Sequence, residues 1–125
     1  MRDNPVIWFE IYVSDLSRSR KFYEDVLQTT LQDMESPLPD LELLAFPSAM
    51  DKSGAAGALV KMAGMTTGGG GTLVYFSCDD CANEAGRVEN AGGTLTKPKF
   101  SIGRYGHCAL ATDPDGNMFG LHSMR

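Results

Sequence analysis

A chain of 125 residues with 42% hydrophobic and 22% charged side chains can bury one core and is too apolar for wholesale disorder. Eleven Lys and Arg against 16 Asp and Glu leave a net charge of −5, which gives no electrostatic reason to bind nucleic acid or an anionic membrane. No window approaches the roughly 20 apolar residues of a membrane helix, and the opening lacks the apolar core of a signal peptide; a soluble, cytoplasmic protein is expected.

The first element runs from Trp8 to Ser14, rich in aromatic and β-branched residues, and closes on Asp15. That is a strand followed by a helix cap. Residues 16–27 carry Leu16, Phe22, Tyr23, Val26 and Leu27 among polar residues, the pattern of an amphipathic helix of about three turns. Its end has no glycine, so sequence places that boundary loosely. Strand-like pieces follow at residues 29–34, 41–46 and 56–62. Residues 65–71 end in four glycines. A glycine run cradles phosphate only when it leads into a helix N-terminus; this one leads into a strand at Thr72 and reads as a linker.

An offset of 65 residues lays Asp15 over Asp80 and the strand before it over residues 73–80. A second helix is expected over residues 81–91, where Ala82, Ala85, Val88 and Ala91 recur at a spacing of three, and Gly92-Gly93 closes it. Strands follow at residues 94–100, 107–112 and 118–122, the last two joined by the turn sequence Asp113-Pro114-Asp115-Gly116. Each half therefore reads βαβββ. Module one covers about residues 5–63, the glycine-rich link residues 64–71 and module two about residues 72–125; a half of about 60 residues is marginal alone.

Three cysteines, Cys78, Cys81 and Cys108, cannot all pair within one chain, and with no leader they are expected reduced. Cys78 and Cys81 have Cys-x-x-Cys spacing. A redox pair needs a lowered thiol pKa, and the two aspartates between them work against that. A zinc site needs two more ligands, and His107 and His122 are not at finger spacing. The structural reading is preferred.

Three segments, WFEIYVSDLSRSRKFYEDVL, VYFSCDDCANEAGRVENAGG and DPDGNMFGL, in this element order resemble the vicinal oxygen chelate superfamily. This is the glyoxalase, bleomycin-resistance and dioxygenase group, and the opening looks closest to its glyoxalase-like single-domain branch. The resemblance implies an α+β fold in which two βαβββ modules form a cup-shaped, mostly antiparallel sheet with the helices outside. It also implies a divalent metal held by His, Glu or Gln from the first and last strands of each module. At those positions this sequence has Trp8, Leu73 and Gly120, and near the end of module one only Lys61 is polar. None supplies a suitable lone pair. The expectation is therefore no metal in the family position and no cofactor.

Alternation along a strand places Phe9, Ile11 and Val13 on the helices, and Trp8, Glu10 and Tyr12 on the opposite face. By the same reasoning Tyr75, Met118 and His122 face away from the second helix. These six are the expected walls of a ligand cavity. Glu10 and His122 are the candidate acid–base pair; the competing reading has Glu10 solvated or hydrogen-bonded to a tyrosine. Arg104 and His107 flank a glycine-punctuated loop that either closes over a ligand or simply joins two strands.

Three functions follow. The first is metal-independent binding of a small molecule in an aromatic-lined cup, as bleomycin-resistance-type relatives do. The second is a glyoxalase-type lyase or isomerase, similar to lactoylglutathione lyase, using a metal in a rearranged site or Glu10 as base. The third is a structural or regulatory dimer. A homodimer is expected in each case, because short sheets leave edges to cover.

Overall fold

The computed structural model describes residues 4–125. Among them the chain has an α+β fold of eight strands and two helices, arranged in two compact units, Trp8–Thr72 and Leu73–Arg125, the latter with residues 4–7.

In the first unit, β1 (Val6–Tyr12) runs parallel to β4 (Ala56–Met62), with Glu10 opposite Ala58 and Tyr12 opposite Val60. β3 (Leu41–Ala45) pairs antiparallel with β4, and β2 (Gln32–Met34) antiparallel with β3. Helix α1 (Leu16–Leu27) starts where expected: the Asp15 carboxylate accepts from the Arg18 N–H at 3.1 Å, satisfying an end amide that has no partner within the helix. Its other end solves the missing-glycine problem with Gln28. That residue takes the left-handed conformation (φ 51°), its N–H bonds the Glu24 carbonyl, and its side-chain amide bonds the Asp25 carbonyl at 2.6 Å.

Leu31, Leu44 and Leu59 form the core of this unit, with Ile11, Val13, Leu16, Tyr23 and Phe46 packed around them. Phe9 stacks at 5.5 Å on Phe46, which meets Tyr23 edge-on at 5.8 Å. Phe9, Ile11 and the Val13 that follows β1 thus lie on the helix side, as alternation requires. Glu24 ties α1 to the entry of β2: it accepts from the Leu31 N–H at 2.8 Å and from Arg20 at 3.1 Å. Chiefly the Leu31 bond, with Arg20 behind it, holds the Glu24 carboxyl below its ordinary range.

The second unit repeats the arrangement. β5 (Thr72–Ser77) runs parallel to β8 (Met118–Ser123), β7 (His107–Thr112) antiparallel to β8, and β6 (Thr94–Ser101) antiparallel to β7 with two register shifts. Phe76, Phe119 and Leu121 pack with Cys78, Cys81, Ala85 and Ala109.

Helix α2 departs from expectation. It spans only Cys81–Ala85, not residues 81–91. Gly86 follows directly, and glycine weakens a helix by about 1 kcal/mol relative to alanine. From there the backbone tightens into turns, with Arg87 N–H bonding Glu84 and Val88 N–H bonding Ala85, before Gly92 at φ 101° turns the chain away. The cap is as read: Asp80 accepts from Ala82 N–H at 3.0 Å and from Lys99 at 2.9 Å. Lys99 reaches Asp80 from β6.

Candidate functional site

Three consecutive even-numbered positions of β1 form a joined set. The Trp8 indole donates to Glu10 Oε2 at 3.1 Å, and the Tyr12 hydroxyl donates to Glu10 Oε1 at 2.7 Å. Residues two apart on a strand share a face, so the strand itself supplies the spacing that lets one carboxylate take a donor from either side. Glu10 and Tyr12 are each 8% exposed and Trp8 is half-buried. A carboxylate this deep costs several kcal/mol unless its oxygens are bonded; here each is. Beside it the face is low: Ala58 lies opposite Glu10, Ala56 opposite Trp8, and Ala45 opposite Ala58. The tyrosine bond to Glu10, the reading that competed with an acid–base role, is present, and the indole bond is a second donor that sequence did not suggest.

In the second unit, Tyr75 lies opposite Gly120, and a Cβ on Gly120 would fall on the Tyr75 ring. Met118 pairs with Thr112 and His122 with Cys108. The His122 Nε2 lies 2.6 Å from the Tyr105 carbonyl. A carbonyl only accepts, so Nε2 carries the proton. That bond, from a short 3₁₀ turn at Gly103–Tyr105, is the partner the structure gives His122, where sequence had considered Glu10. The same turn holds Arg104 against Tyr105, guanidinium to hydroxyl at 3.0 Å, so the loop has its own internal bonds.

A metal in the family position does not fit these residues. Gly120 sits under an aromatic ring that leaves no room for a longer side chain, Leu73 is 2% exposed and apolar, and the Trp8 nitrogen is a donor already used by Glu10. Among the described residues no group of three or more His, Cys, Asp or Glu is placed to hold a metal ion.

The cysteines are structural in setting. Cys78, Cys81 and Cys108 are all free and buried. Burial, reinforced by the neighbouring Glu84 carboxylate, pushes the Cys78 thiol up to about 11, the opposite of thiolate activation.

The structure also shows a groove of about 440 Å³ in the first unit. Of the six expected cavity residues only Tyr12 borders it; its neighbours Ile11 and Val13, α1 and residues 68–72 supply the rest of the wall described.

Residues 6–121 match the family model described as Glyoxalase/Bleomycin resistance protein/Dioxygenase superfamily. No curated protein matches the chain. Among solved structures, a hypothetical protein from Bacillus halodurans C-125 superposes with a TM-score of 0.72 at 11% identity, covering 99% of this chain and 96% of that one. Methylmalonyl-CoA epimerase from Mycobacterium tuberculosis gives 0.69 at 15% identity, covering 100% and 93%. An uncharacterized protein from Methanosarcina mazei gives 0.61 at 16% identity, covering 98% and 94%. At these identities the likeness is one of fold. Among the described residues no helix is long and apolar enough to cross a membrane.

Proposed function

The chain belongs to the glyoxalase/bleomycin resistance protein/dioxygenase superfamily, and from that premise we propose that it binds a small molecule on the Trp8–Glu10–Tyr12 face without the metal usual to the family. The observation that carries this reading is the Glu10 carboxylate, buried and fixed between an indole and a phenol. A charge held there orients a ligand that carries a protonated nitrogen or a hydroxyl. The flanking aromatic faces suit the same ligand, since a cation over an aromatic ring gains about 0.5–2 kcal/mol. Alanines at positions 45, 56 and 58 keep the neighbouring strands from filling the space with side chains.

The misfit of Trp8, Leu73 and Gly120 supports the metal-free part of the reading. Binding then rests on the carboxylate, the aromatic walls and burial of apolar surface. A thermal-shift screen of metabolites on chelator-treated protein tests it. Hits at saturating ligand are expected to raise the melting temperature, through mass action on the folded state, and to lose that effect in Glu10→Gln and Trp8→Ala. Hits that appear only when a divalent metal is added back refute it.

A further inference from the structure

We propose that the groove between the first turns of α1 and residues 68–72 is a second binding site, for a small molecule with an anionic head group, carboxylate or phosphate, on a flat apolar body. It goes beyond the reading above, which concerns the β1 face. The groove encloses about 440 Å³ and is lined by Ile11, Tyr12, Val13, Arg18, Ser19, Phe22, Tyr23, Gly68, Gly71 and Thr72. That volume falls in the range of small-molecule sites.

The chemistry of the wall is divided. Among the described residues that line it, Arg18 is the one that is charged. Its guanidinium donates to Ser14 Oγ at 3.2 Å, and among the described residues it has no carboxylate partner; the ion pairs there are Arg20–Glu24, Lys21–Asp25 and Lys99–Asp80. An Arg fork without a carboxylate is matched by a planar or tetrahedral oxyanion. Ser19, beside Arg18, and Thr72, from the facing segment, also line the groove and carry hydroxyl donors. The Arg18 backbone amide is already spent on Asp15, so side chains and not the helix end would do the recognising.

The apolar half is Phe22 and Tyr23. Their rings meet edge to face at 5.1 Å, and Phe22 is 58% exposed. An aromatic corner this open is a surface on which a flat ring stacks. The opposite wall is bare backbone at Gly68, where φ is 73° and a Cβ would meet nothing within 4 Å. The segment is nonetheless anchored, because the Gly71 carbonyl accepts from the Tyr12 N–H at 2.8 Å and the Gly71 N–H bonds Gly68 at 2.9 Å. The glycines that sequence read as a mere linker thus form one side of a fixed groove.

The test follows backbone and indole amides by NMR while the full chain is titrated with phenyl phosphate, benzoate or benzylamine. Phenyl phosphate or benzoate is expected to shift Ser19, Gly68, Gly71 and Thr72 with saturation below about 10 mM, the weak end of specific affinity; whichever binds tighter names the head group. Arg18→Gln is expected to weaken this by about tenfold or more, and Phe22→Ala several-fold. Both positions are exposed, so both variants fold, which their spectra verify. No saturable shift by either anion, an equal response to benzylamine, or unchanged affinity in Arg18→Gln overturns the proposal. So does saturation confined to the Trp8 indole, which is the signature of the β1 face and not of this groove.

Discussion

Glu10 concentrates the residue-scale argument. Its two oxygens are each bonded by a neighbour two positions away. Glu10→Gln keeps one oxygen for the indole, which only donates, and turns an NH2 toward the Tyr12 hydroxyl, which must then accept instead of donating. Two charge-assisted bonds become neutral ones, and the predicted cost is about 1 kcal/mol of unfolding free energy, read from urea midpoints; a variant as stable as the parent contradicts the bonding described. Gly120 gives a second case. Any Cβ there meets the Tyr75 ring, and overpacking of this kind costs about 1–3 kcal/mol. Gly120→Ala is therefore predicted to destabilise, and to do so far less in a Tyr75→Ala background, where the ring is gone. Equal costs in the two backgrounds would show that the ring is not what closes this position. Cys78 gives a third. With the thiol pushed up from about 9 to about 11, the folded state favours the neutral form. That contribution is fully present below the unfolded value and lost as pH rises through the folded one, over roughly pH 9 to 11. In the native protein at pH 8, Cys78 is predicted to resist thiol reagents and to react once denaturant is added. Rapid labelling of the folded protein is the contrary result.

At the scale of elements, what was legible and what was not separate by mechanism. The Asp15 cap and the apolar spacing of residues 16–27 gave α1 its observed bounds, because capping and periodicity are local properties. The alternation along β1 placed Phe9 and Ile11 on the helix side for the same reason. The length of α2 was not legible: a spacing of three suits an α-helix and tighter turns alike, and Gly86 decides between them. Nor was the His122–Tyr105 bond, which joins residues 17 apart through a 3₁₀ turn. Asp80 shows how local and long-range terms combine. Lys99, from β6, and the Ala82 amide together hold its carboxyl below the ordinary range. A lowered carboxylate stabilises above the unfolded value and loses that contribution as pH falls through the folded one. Lys99→Met is thus predicted to destabilise at pH 7 and to converge with the parent as pH falls below the ordinary carboxylate range. A difference that persists undiminished in acid would assign the effect to packing.

On the scale of the whole molecule, the repeat is visible in both sequence and structure: β1 beside β4 and β5 beside β8, each pair parallel, each followed outward by antiparallel neighbours. Val26, Leu27 and Met124 remain more than half exposed, apolar surface of a kind that association covers. We propose a homodimer on that ground, and light scattering at micromolar concentration is predicted to give twice the chain mass. The central claim, metal-free binding on the Glu10 face, is tested most directly by the tryptophan emission of chelator-treated protein, since Trp8 is the chain's single tryptophan and donates to Glu10. Titration with the strongest thermal-shift hit is predicted to change that emission saturably, with the same midpoint whether or not a divalent metal is present, and with no response in Glu10→Gln. Emission that changes only after metal is restored, or changes equally in Glu10→Gln, would contradict the account.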